Sequence, residues 1–140
     1  YKMSRVPSFR GAGEAFLRIE NLSTATTLTT VSYDQAGALL LYNGQAGPAR
    51  IMLPQAERGL IFRIALADQS VSSAILVGAT SGTAGAQDIR YKNTTGGYVQ
   101  CGSTADSGSL LTFVGVNDSR YDVFIARAST IIWASTSTGA

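Results

Sequence analysis

Apolar and polar residues alternate with period two along much of the chain, the spacing of a strand with one dry face. The clearest case is Ala49 to Asp68, ARIMLPQAERGLIFRIALAD. In its second half Leu60, Phe62, Ile64 and Leu66 share one face, and Ile61, Arg63, Ala65 and Ala67 share the other. Pro54 has no N–H to give to a ladder, so it ends the first strand. Gly59 lets the backbone turn before the second. The expectation is a hairpin.

The same pattern of strand, turn and strand extends from Leu22 onward. Thr26–Tyr33 (TTLTTVSY) is rich in β-formers, and Asp34-Gln35-Ala36-Gly37 is a turn. Ala38–Tyr42 (ALLLY) is apolar on both faces, which predicts a central strand. Asn43-Gly44 is a turn dipeptide. Val71–Val77, Asp88–Lys92 and Tyr98–Cys101 are further strands, separated by small-residue loops at Gly78–Gln87 and Gly102–Ser109 and by an Asn93–Gly97 turn. Leu110–Val116, Tyr121–Ala126 and Thr130–Ser135 have links so short that they predict an antiparallel meander.

About eight short strands at this spacing predict an all-β fold, an antiparallel sandwich or jelly-roll-like barrel. No window shows helical periodicity with caps. No repeat of 20–50 residues is visible, which disfavours a solenoid. Residues 21–140 read as a single β domain. Residues 1–20 read as an extended N-terminal arm, broken by Pro7, Gly11 and Gly13 and holding Lys2, Arg5, Arg10 and Arg18.

Composition narrows the function. The chain has 140 residues, 45% apolar, with only 14% charged, against a usual ~25%. A surface so poor in charge is either covered by other subunits or kept soluble by hydroxyls. Net charge is +2, too small to argue for nucleic acid. Nine of the eleven bases are Arg, the better residue for interfacial pairing. No apolar run is long enough for a membrane helix. The single cysteine, Cys101, excludes an intrachain disulfide and a cysteine-based metal site.

Histidine is absent, which removes the commonest general base and metal ligand. The carboxylates lie mostly in turns or at strand ends, where they cap or meet solvent. Two of them would have to meet in space to do glycosidase chemistry, and spacing alone does not show that. Asp118 and Asp122 could approach each other around a turn, but such residues are usually turn formers. Trp133 and Tyr121 read better as core anchors than as an exposed sugar-stacking pair. No catalytic, cofactor or metal residue is expected.

The order of a Thr-rich strand (TTLTTVSYDQAGALLLYN), an apolar strand ending in Leu-Pro (ARIMLPQ), Gly-Leu-x-Phe-Arg (GLIFRI) and a closing Tyr-Asp-Val-Phe hairpin with a late Trp resembles small β-rich virion proteins of tailed bacteriophages, of the capsid decoration or head-fibre kind. The resemblance covers residues 22–135. It implies a non-enzymatic homotrimer on the outer capsid surface, partnered by the major capsid protein and by copies of itself, without nucleic acid or membrane. Lys2, Arg5, Phe9, Arg10, Phe16 and Arg18 of the arm are the expected subunit or capsid contacts. The alternative is a glycan- or receptor-binding module of a tail fibre or spike, with Tyr91, Asn93, Tyr98 and Asp106 as candidate contacts.

Overall fold

The computed structural model describes residues 18–22, 28–43, 49–66, 75–79, 88–92, 94–101, 108–126 and 131–134. Twelve strands and a single 3-10 turn, Tyr33–Gln35, are present among them. The strands are β1 (Ile19–Asn21), β2 (Leu28–Thr30), β3 (Leu39–Tyr42), β4 (Ala49–Leu53), β5 (Ile61–Leu66), β6 (Ile75–Ala79), β7 (Ile89–Tyr91), β8 (Thr94–Gly96), β9 (Tyr98–Cys101), β10 (Leu110–Asn117), β11 (Arg120–Ala126) and β12 (Ile131–Ala134). They form two sheets, ordered β1-β3-β5-β10-β11-β7-β8 and β12-β9-β6-β4-β2. The fold is all-β, as expected, with two layers. The strand count exceeds the predicted eight because short ladders such as β8 lie inside stretches that read as turns.

The first half is built by alternation. β1, β3 and β5 belong to the seven-stranded sheet, while β2, β4 and β6 belong to the five-stranded one. Within each sheet these strands pair in parallel: β1 with β3, β3 with β5, β2 with β4, β4 with β6. Each pair of consecutive strands is therefore one coil, and three coils stack. Register steps from Ile19 to Leu39 to Arg63 mark the coil length, 20 and 24 residues. A parallel pair needs a long crossover, and the strand in the opposite sheet supplies it.

This arrangement corrects three expectations. β4 and β5 do not form a hairpin; the Pro54–Leu60 link carries the chain from one sheet to the other as an arch. The closing meander is only half present: β10 and β11 pair antiparallel, but β12 crosses to the other sheet and pairs with β9. Pairing overall is mixed and not purely antiparallel, because β7 also joins β11 in parallel. A stacked-coil half exists without any sequence repeat, since each coil meets different neighbours and has a different length. β1 also straddles residue 20, the predicted end of the arm.

Packing follows the alternation. Phe62, Ile64 and Leu66 of β5 are fully buried, as are Leu40 and Tyr42 of β3 and Leu111 and Phe113 of β10. Ile51, Leu53, Ile75, Val77 and Val99 face them from the other sheet. Tyr121 sits among the aromatics, edge-on to Phe62 at 6.1 Å and to Phe113 at 6.4 Å, a geometry the ring quadrupoles favour. Its burial confirms the core-anchor reading for this residue. The side chain of Trp133 lies outside the described residues, as does that of Cys101.

Candidate functional site

Two surfaces stand out. The first is the outer face of the seven-stranded sheet. Registers place Ile19, Leu39, Arg63, Thr112 and Phe124 in one row across five strands. Asn21, Leu41, Ala65, Leu110 and Ala126 form the next row, and Ile61, Val114, Asp122 and Arg90 a third. Most of these side chains are apolar; those of Leu39, Leu41, Ile61, Ala65, Leu110 and Val114 are half-buried. Phe124 is 60% exposed and Ile19 61%. A one-sided antiparallel sheet would place polar groups here. β3 is instead apolar on both faces, as the ALLLY pattern indicated, and β5 places Ile61 and Ala65 on this face beside Arg63.

Charge on this face is sparse and mostly internal. Arg63 stands near the centre without a hydrogen bond or ion pair among the described residues. At the edge, Arg90 grips Asp122 with both its Nε (2.9 Å) and its NH2 nitrogen. The Arg120 guanidinium approaches the same carboxylate at 3.7 Å. Asp122 is thus committed to two arginines. Among the described residues no cluster of three or more potential ligands is suited to a metal.

The second surface is a cleft at one end of the coil stack, of about 480 Å3, lined by Tyr33, Gln55, Ala56, Glu57, Arg58 and Asp118. Three segments remote in sequence meet there: the 3-10 turn, the Pro54–Leu60 arch and the β10–β11 turn. Their contacts are specific. The Tyr33 hydroxyl donates to the Gln55 carbonyl at 3.0 Å, and the Gln55 side-chain amide donates to the Asp118 carbonyl at 3.1 Å. From below, Tyr121 donates to the Pro54 carbonyl at 2.9 Å. Burial, reinforced by the nearby Tyr33 and Glu57, pushes the Tyr121 phenol well above the usual tyrosine range. Gly59, at φ +93°, closes the arch, and its N–H donates to the Gly115 carbonyl.

Of the arm residues expected at an interface, only Arg18 is among those described. It folds back onto its own chain, pairing with Glu20 at 2.6 Å and donating to the Asp34 carbonyl at 2.6 Å. Glu20 also accepts from Gln35 at 3.0 Å, so β1 is tied to the 3-10 turn. Lys2, Arg5, Phe9, Arg10 and Phe16 lie outside the described residues. Of the predicted glycan contacts, Tyr91 and Tyr98 are half-buried, and Asn93 and Asp106 lie outside the described residues. Reading the sequence alone missed Tyr33, Glu57 and Asp118 as a group.

No family model matches the chain, and no curated protein matches it. No helix among the described residues is long and apolar enough to cross a membrane.

Proposed function

We propose that this chain is a non-enzymatic structural subunit that self-associates, as a homotrimer, and decorates or cements the outer surface of a phage capsid. The observation that carries the assembly part is the apolar outer face of the seven-stranded sheet. Five strands span roughly 20 Å and two rows on either side of Arg63 span about 13 Å, a patch of a few hundred Å2. A patch of about this size is at the upper end of what a monomer commonly exposes, and the largest such patch is often a functional one. A standard interface takes about 800 Å2 per partner, so this patch forms the apolar centre of a contact and not its whole extent.

Arg63 bears on the symmetry. A two-fold axis through the centre of the face would set two Arg63 guanidiniums against each other. A three-fold arrangement lets each face meet a different surface of its neighbour. The capsid location follows from the resemblance of residues 22–135. The low charge and Arg-rich basic set agree with a surface that meets protein.

Sedimentation of the purified chain tests self-association, with a trimer expected. Imaging of particles from the source virus tests location, with the chain expected as a protrusion on the shell. A monomer at all concentrations removes the first part; particles without the chain remove the second.

A further inference from the structure

We propose that the outer face of the seven-stranded sheet docks on the arch end of a second copy, with Arg63 of one copy seated between Glu57 and Asp118 of the next. The inference rests on the self-association reading and names the second surface of that contact.

The face needs acceptors from whatever covers it. Arg63 is half-buried on the outer side of β5. It is the one charge in a row otherwise made of Ile19, Leu39, Thr112 and Phe124. A guanidinium carries five N–H donors and keeps its charge. An apolar surface laid over it would strand that charge away from water, which is costly. A carboxylate takes two of the donors at once and removes that cost. The group that meets the centre of this face is therefore acidic.

The chain itself supplies such a surface. Among the described residues, Glu20 is held by Arg18 and Gln35, and Asp34 accepts from Ser32. Asp122 is held by Arg90 and Arg120, and Asp88 is buried. Glu57 and Asp118 remain, both exposed and both lining the cleft. Neither carboxylate has a hydrogen bond or ion pair among the described residues. Arg58 lines the same cleft, so two carboxylates against one guanidinium leave a single negative charge, which Arg63 balances. The cleft, of about 480 Å3 and mostly polar in its lining, has room for a guanidinium and its stem. Its walls are set beforehand, because Tyr33 donates to the Gln55 carbonyl and Gln55 to the Asp118 carbonyl, so little ordering entropy is lost on docking. Face and cleft are different surfaces. In a homotrimer the contact therefore repeats head to tail, each copy giving its face to one neighbour and its cleft to the other.

Charge reversal in the full chain tests this, read by sedimentation across a concentration series. Arg63→Glu leaves face and cleft both negative, and Glu57→Lys leaves both positive. Each should weaken association about thirtyfold. Together they invert both signs, so the double variant should recover association to within about threefold of the unsubstituted chain, which two unrelated local losses would not do. Circular dichroism checks that each variant is folded. Should a reversal not fold, Arg63→Gln and Glu57→Gln carry the test. Each should then weaken association about fivefold, and the pair together no more than either alone. Association undiminished in the folded single variants, a reversed pair no better than its singles, or additive losses in the neutral pair would each overturn the pairing while leaving self-association standing. An unsubstituted chain that is monomeric at every concentration would overturn both.

Discussion

Gly115 lies directly beneath Glu57: a Cβ built on Gly115 would stand 2.0 Å from the Glu57 carbonyl oxygen. The approach is a consequence of pairing. The Gly115 N–H donates to Leu60 at 2.8 Å, and its carbonyl accepts from Gly59 at 2.9 Å. The arch therefore continues the β5–β10 ladder past its last regular pair, and only a residue without a side chain fits below it. Gly115→Ala should lower stability by about 2–4 kcal/mol and the unfolding midpoint by about 5–15 °C, since backbone and not a flexible side chain must move. Gly59→Ala provides a contrast. Nothing lies within 4 Å of its Cβ position, but its φ is +93°, so the cost is conformational strain alone, about 1 kcal/mol. Thermal unfolding of both variants checks the order.

Two buried tyrosines make a second contrast. Tyr121 donates to Pro54, whereas the Tyr42 hydroxyl is buried without a partner among the described residues. Tyr121→Phe leaves the Pro54 carbonyl unpaired in a partly buried setting, which costs about 1–2 kcal/mol. Tyr42→Phe removes a desolvated hydroxyl that gains nothing in return, so it should be neutral or stabilising. Urea unfolding of the two variants should give opposite or clearly unequal shifts. Equal losses would show that the Tyr42 hydroxyl has a partner after all.

The same burial sets a pH limit. Desolvation raises the pKa of both Tyr42 and Tyr121 above the ordinary 10.0. Below pH 10 the phenols are protonated in both folded and unfolded chains, and the stability they permit is fully present. Above it the unfolded chain releases those protons while the folded chain keeps them. Stability must then fall, by up to about 1.4 kcal/mol per pH unit for each tyrosine. The loss continues until the folded pKa is reached. Ultraviolet titration should show at least two of the six tyrosines ionising only as the chain unfolds. Combining Tyr42→Phe with Tyr121→Phe should flatten the alkaline slope, whatever it does to stability at neutral pH.

Much of the local structure was legible because it depends on neighbours in sequence. Period two in β5 put Phe62, Ile64 and Leu66 together on one face, Pro54 marked the end of β4, and Asn117–Arg120 marked the β10–β11 turn. The assignment of strands to sheets was not legible. A short polar link after Leu53 suits an arch as well as a hairpin, and alternation reports which face is dry but not which sheet carries it. The two-sided apolar run at Leu39–Tyr42 was the available signal, since parallel strands are commonly buried on both faces. Tyr33, Glu57 and Asp118 could not be grouped beforehand, because the stacking of the 3-10 turn, the arch and the β10–β11 turn is what joins them. Gly115, read only as one letter of a strand, carried a hint of close backbone approach.

Phe124 provides the last test, because its two possible roles separate cleanly. It is 60% exposed and sits opposite Thr112 on the outer face, in the same row as Arg63 and Leu39. In an isolated chain, Phe124→Ser removes few contacts and should change stability by no more than about 0.5 kcal/mol. In a self-associated one, the ring is a central apolar anchor of the kind that dominates interface energy. Its loss should then cost about 2 kcal/mol of association, a roughly thirtyfold weakening. Sedimentation across a concentration series should show the variant shifted toward monomer, with its circular dichroism unchanged. The same shift should follow from Leu110→Ser, one row away on β10, and not from Arg58→Ser at the cleft. Oligomers that form equally well in Phe124→Ser and Leu110→Ser would place the subunit contact on another surface.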